Sequence, residues 1–163
     1  MNDLQVCWWP IEKITPYSKN ARKIPQKAID KVAASLREYG WRQPIVVDAE
    51  GVICVGHVRR LGALQLGWKE AQVHVADILT PAQIQAYRLM DNRSHEEAEW
   101  DFDVLGPELK ELRDLDFDLN LTGFDDREIE DFLSDPEIDD RANNVPELPA
   151  HEVTVPGDLW LCG

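Results

Sequence analysis

The chain has 163 residues, 44% hydrophobic and 29% charged, with six Trp, a composition that builds a core and excludes a wholly disordered tail. No apolar run is long enough to span a bilayer, and the first residues carry no basic leader, so a cytoplasmic protein with no membrane partner is expected. The net charge of −14 is unevenly placed: residues 1–75 hold eleven Lys/Arg against seven Asp/Glu, and residues 76–163 hold six against twenty-four. Such a chain can bring a mildly basic front to a polyanion while its acidic rear is repelled. The three separated Cys, with no CxxC pair, exclude a zinc knuckle and a disulfide scaffold and read as free thiols.

In chain order, residues 6–11 (Val-Cys-Trp-Trp-Pro-Ile) predict an edge strand closed by proline. Residues 14–23 predict a loop that gathers cations, with Tyr17, Asn20, Arg22 and Lys23 in it. Pro25 suits the first position of a helix, and Ile29, Val32, Ala33 and Leu36 recur at helical spacing until Gly40. Ile45-Val46-Val47 and Val52–Val55, separated by a turn at Gly51, predict a hairpin. A helix from Arg59 to Leu66 follows, with Leu61, Leu64 and Ala63 turned inward, then a strand at Gln72–Val75. Trp8, Trp41 and Trp68 read as core or domain-contact residues.

Thr80-Pro81-Ala82-Gln83 is a capping box with proline at the first helical position, opening a helix through Ile84, Tyr87 and Leu89 to about Asp91-Asn92-Arg93. Leu105, Leu109 and Leu112 predict a further helix whose start is delayed by Gly106-Pro107. Asp125–Glu128 is a second capping box, leading into Ile129, Phe132 and Leu133. Residues 136–156, with four prolines, read as a linker. The apolar run at residues 159–162 is expected to begin a domain that continues past Gly163.

Three groups of residues could carry chemistry. The turn Gly56-His57-Val58-Arg59-Arg60 joins a strand to a helix. Its first amides, the helix dipole and two guanidinium groups suit a phosphate. The competing reading is a plain turn whose arginines pair with acidic neighbours. Asp91-Asn92 could hold a divalent metal bridging phosphates, or simply end a helix. The loop residues Asn20, Arg22 and Lys23, with Tyr17, could contact a DNA or nucleotide backbone, and Gln43 is expected near them. His57 could serve as a general acid or base, although no second titratable group stands at a pairing distance in sequence.

Three segments together resemble the ParB/sulfiredoxin-like domain over about residues 5–100: Trp41–Val47, Gly56–Ala63 and Asp91-Asn92-Arg93. The nearest variant is the ParB-like domain at the front of bacterial and phage DNA modification methylases, where Gly-His-x-Arg replaces Gly-Glu-Arg-Arg. Leu121–Asp125 and Pro156–Gly163 are also similar to that family, in which they lead into the methyltransferase domain. The resemblance implies an α+β fold, a small mixed sheet with packed helices over residues 1–100. Composition adds an acidic helical extension over 101–135 and a linker from 136, and the resemblance makes the end of 136–163 the start of a methyltransferase domain. The resemblance further implies a nucleotide-phosphate pocket in which Gly56 and Arg59 contact phosphate, Asp91 and Asn92 stand on the metal or phosphate side and Gln43 lines the wall. The turn itself adds His57 and Arg60, and a nucleoside triphosphate with Mg is the expected ligand. His57 stands where partitioning proteins carry Glu, and Val58 where they carry Arg. In sulfiredoxins a catalytic Cys follows the glycine; here His57 does, so sulfinic acid reduction is not implied.

The methyltransferase motifs themselves are absent, so the chain alone is not expected to methylate. The leading expectation is an accessory DNA- or nucleotide-binding module of an adenine or cytosine-N4 DNA methyltransferase. The alternatives are a stand-alone nuclease or nucleotide-dependent kinase of this fold, and a protein-interaction module that uses the acidic helices.

Overall fold

A computed structural model of the chain describes residues 4–94 and 97–134. Four strands, β1 (Cys7–Pro10), β2 (Ile45–Val47), β3 (Ile53–Val55) and β4 (Glu70–Val75), form one mixed sheet in the order β1-β4-β2-β3. β2 and β3 are an antiparallel hairpin, β1 and β4 are antiparallel, and β2 and β4 are parallel. A parallel pair needs a crossover, which is supplied by β3 and the helix α2 (His57–Gln65). The other helices are α1 (Gln26–Tyr39), α3 (Pro81–Ser94), α4 (Phe102–Asp114) and α5 (Asp126–Leu133).

Side-chain alternation along β2 divides the core. Ile45 and Val47 join Leu36, Trp41, Ile53 and Val73 in the larger cluster, while Val46 packs with Cys54, Ala76 and Ile84 in the smaller one. Each fully buried Ile or Val is worth about 2 kcal/mol relative to exposure. α1 and α2 pack directly on each other, and the crossing runs over Gly62. A Cβ there would sit 3.1 Å from the Ala33 amide nitrogen and 3.3 Å from Val32 Cγ1.

Several elements differ from the sequence reading. α2 starts at His57, two residues early, because Gly56 takes the left-handed conformation (φ 102°) and turns the chain straight into the helix. Gly62 and Ala63 are its buried residues and Leu64 faces out, since the close approach of α1 selects small side chains. Leu89 of α3 also faces solvent. Pro25 precedes α1 as its N-cap instead of opening it. Trp8 is 54% exposed on the edge strand, whereas Trp41 and Trp68 pack together, 6.0 Å between rings.

α4 also starts earlier than expected and contains Pro107. Asp101 caps it by accepting from the Asp103 amide at 3.1 Å, and this early start leaves Pro107 costing one backbone bond. Gly106 is a packing residue: an added Cβ would lie 3.2 Å from the Phe132 carbonyl of α5. Both capping boxes form. Thr80 and Gln83 exchange bonds of 2.9 and 3.3 Å, and Asp125 and Glu128 exchange bonds of 2.7 and 3.1 Å. The acidic helices are tied to the front of the chain, with Lys27 on Asp125 at 2.7 Å and Tyr39 donating to the Leu121 carbonyl at 3.4 Å. The expected linker and the run at 159–162 lie outside the described residues.

Candidate phosphate site

Gly56 is placed by β3 and held against Ile45 of β2; a Cβ on it would meet Ile45 at 3.4 Å and the Arg59 guanidinium at 3.3 Å. No side chain caps α2, and its first turn carries no acidic residue. The opening amides of the helix therefore present donors and the positive end of its dipole to the turn. Arg59 folds back over the turn and donates to Gln43 Oε1, and its guanidinium lies over Gly56. Burial pulls the Arg59 guanidinium below its usual range, and the nearby charge of Asp91 pulls it back up. Arg60 has its Nε buried without a hydrogen-bond partner among the described residues.

On the other side of the turn, His57 Nε2 accepts from the Tyr17 amide at 3.2 Å. That bond fastens the cationic loop to the first residue of α2. It also fixes the ring as neutral, with the proton on Nδ1. Burial pushes the His57 pKa below the usual imidazole value, and Arg88 and Arg60 lower it further. The Nε2 lone pair of His57 is thus engaged by the loop.

The loop itself lies along a cleft of about 300 Å³ lined by Asn20, Arg22, Lys23, His57, Val58 and Asn92. Arg22 Nη1 donates to the Asn92 carbonyl at 3.3 Å, joining the loop to the end of α3. Asn92 spends its own amide on the Arg88 carbonyl at 2.7 Å. Among the described residues no three His, Cys, Asp or Glu side chains gather anywhere to hold a metal. Asp91 stands close enough to Arg59 for its charge to act on the guanidinium.

The expected residues thus fall in two neighbouring groups. His57, Asn92, Asn20, Arg22 and Lys23 share one cleft, while Gln43 and Arg59 line another with Arg42 and Tyr39. Gln43 does not join Tyr17, because it follows α1 and reaches the turn from the α1 side.

Arg88 is the residue that sequence reasoning missed. It donates to the Ile53 carbonyl at 3.0 Å, pairs with Asp48 at 2.9 Å and lies 4.0 Å over the Tyr17 ring. One guanidinium thereby joins α3, the hairpin and the loop. The available signal was its position four residues after Ile84, the buried residue of α3, which puts a cation on the inward face. His74 Nδ1 contacts the Gln5 carbonyl at 3.0 Å.

Residues 3–92 match the family described as the ParB N-terminal domain, and residues 96–156 match the ParB-methyltransferase HTH domain. The chain is 30% identical over 82 residues to the ParB-like nuclease domain-containing protein YnaK of Escherichia coli K12, covering 50% of this chain and 94% of that protein. Among solved structures, the truncated chromosome-partitioning protein ParB from Caulobacter crescentus, complexed with CTP-gamma-S, has a TM-score of 0.65 at 18% identity. That superposition covers 78% of this chain and 76% of the other, and it speaks to the fold. Sulfiredoxin from Arabidopsis thaliana is similar with a TM-score of 0.44 at 21% identity, over 51% of this chain and 96% of its own.

Proposed function

From a chain that belongs to the ParB N-terminal domain family, we infer a binding module that holds a nucleoside phosphate at the Gly56–Arg60 turn and serves as the accessory part of a DNA methyltransferase. The observation that carries this reading is the uncapped start of α2 with Arg59 held over it and Arg60 left without a partner at Nε. The uncapped amides that open α2 and the Arg59 guanidinium over Gly56 would supply the donors, with Asp91 as the nearby countercharge. A bound phosphate would accept from the amides and from Arg59, and Gln43 would hand the guanidinium over. Asn20, Arg22 and Lys23, fastened through Tyr17 to His57, would lie against a DNA or nucleotide backbone.

Support for the methyltransferase setting is the match of residues 96–156 to a domain named for ParB-methyltransferases. Support for a nucleotide is the CTP-gamma-S complex of a protein with the same fold. Any Mg would be shared between the phosphate oxygens and Asp91, with Asn92 beside it and waters completing the shell. We divide the chain into a ParB-like part, residues 1–100, an acidic helical part from 101, and a stretch from 136 that leads to the methyltransferase domain.

Calorimetry of the chain with CTP, ATP and ADP, each with and without Mg, tests the reading. Binding of at least one of them, lost in Arg59→Ala and retained in Lys69→Ala, is the expected result. Absence of binding to all three, or binding that survives Arg59→Ala, overturns it. The name of the YnaK relative points to a nuclease instead, and release of product from a labelled duplex or nucleotide would favour that second reading.

A further inference from the structure

The acidic helices carry an unpartnered aromatic row. Trp100 stands 5.2 Å from Phe124, Phe124 stands 5.4 Å from Phe132, and Phe132 stands 5.5 Å from Phe102. Both ends of the row are open, with Trp100 63% and Phe102 61% exposed, while the two middle rings are half-buried. Solvated ends of this kind lose hydrophobic stabilisation that a monomeric chain would gain by tucking them in. The row is about 16 Å long at most, the length of a few helical turns.

Its surroundings select the occupant. Residues 97–134 contain fourteen Asp/Glu and three Lys/Arg, a net charge of −11. Acidic residues alternate with the rings in sequence: Glu99, Asp101 and Asp103 bracket Trp100 and Phe102, and Asp125 and Asp131 adjoin Phe124 and Phe132. Although this segment matches a helix-turn-helix family, a surface of that charge opposes the phosphate backbone, whose neutralisation needs Lys and Arg. Arg113, one of its three cations, already faces Asp114 at 4.0 Å.

We propose that the row Trp100-Phe124-Phe132-Phe102 is a docking surface for a basic amphipathic helix of a partner protein, which lays its apolar side on the rings and its Lys/Arg among the carboxylates. Aromatic anchors supply the affinity, and the charges supply orientation and rate. The same acidity keeps the surface off nucleic acid while the basic front of the chain engages it.

The test is titration of the full chain with a fluorescent Leu/Lys helix of about fourteen residues, long enough to cover the row. The comparison ligands are a permuted Leu/Lys peptide without an apolar face, a Leu/Glu helix and a short DNA duplex. Expected are saturable binding of the Leu/Lys helix that weakens with salt, and a loss of about tenfold or more for the permuted peptide. The double variant Trp100→Ala/Phe102→Ala should lose a similar factor. Both side chains are mostly exposed, so its fold and thermal midpoint should hold. Arg59→Ala should leave the peptide affinity unchanged, which separates this surface from the phosphate site. Equal binding of the permuted or Leu/Glu peptide overturns the proposal. So does full affinity in the double variant, or duplex binding that is lost with the two rings. Self-association of the chain abolished by the same double variant also overturns it, because the row would then be an interface between copies.

Discussion

The Tyr17 amide donates to His57 Nε2 at 3.2 Å, and this one bond joins the cationic loop to the first residue of α2. Its strength depends on a neutral ring. The His57 pKa lies below the ordinary value because of burial, Arg88 and Arg60. The unfolded chain, with a His pKa of about 6.5, therefore takes up the proton first as pH falls. His57 stabilises the fold fully above that value, and its contribution declines as pH drops from about 6.5 through the lower folded pKa. We expect urea midpoints that fall between pH 7.5 and 5.5, with much of the fall removed in His57→Gln. In parallel, the Tyr17 amide should lose its exchange protection in acid. A midpoint equally pH-dependent in His57→Gln would assign the effect elsewhere.

Gly56→Ala should impair the phosphate site doubly. The left-handed φ of 102° costs a non-glycine residue about 1–2 kcal/mol, and the new Cβ would press on the Arg59 guanidinium at 3.3 Å. Denaturant unfolding should report the first effect and nucleotide calorimetry the second. Affinity should fall even where the protein is fully folded. Unchanged affinity in the folded variant would mean that Arg59 does not act from above the turn.

Arg88→Met should destabilise the chain by about 2–3 kcal/mol. It strips the partner from Asp48, whose side chain is only 15% exposed, and leaves the Ile53 carbonyl without its donor. Because Asp48 still accepts from the Val52 amide at 2.8 Å, Asp48→Asn should cost less. Thermal or urea melts of the two single variants and the double variant give the coupling directly. Additive costs would show that the pair does not act as a unit.

Gly62→Val tests the helix crossing. Its side chain would meet the Ala33 backbone nitrogen from 3.1 Å, and backbone cannot step aside as a side chain does. A loss of about 1–3 kcal/mol is expected, as for other overpacked contacts, whereas Gly62→Ala gains helix propensity against a smaller clash and should stay within about 1 kcal/mol of the original. Equal stability of all three would place α1 farther from α2 than observed.

What the chain determines locally is legible in the sequence. The capping boxes at Thr80 and Asp125, the Gly40 stop, the β2–β3 hairpin and the Gly56 turn each depend on residues within a few positions of one another, so spacing alone carries them. The acid–base polarity of the two halves is equally local, being a property of composition. Folding decided the rest. The parallel pairing of β2 with β4, the meeting of Arg59 with Gln43, and the reach of Arg88 across to Asp48 and Tyr17 join residues that are far apart in the chain. No periodicity encodes such contacts, because they arise only where two helices and a sheet close on a shared core. The packing of Gly106 against α5 and the open ends of the aromatic row belong to the same class: each depends on what a neighbouring helix does or does not cover.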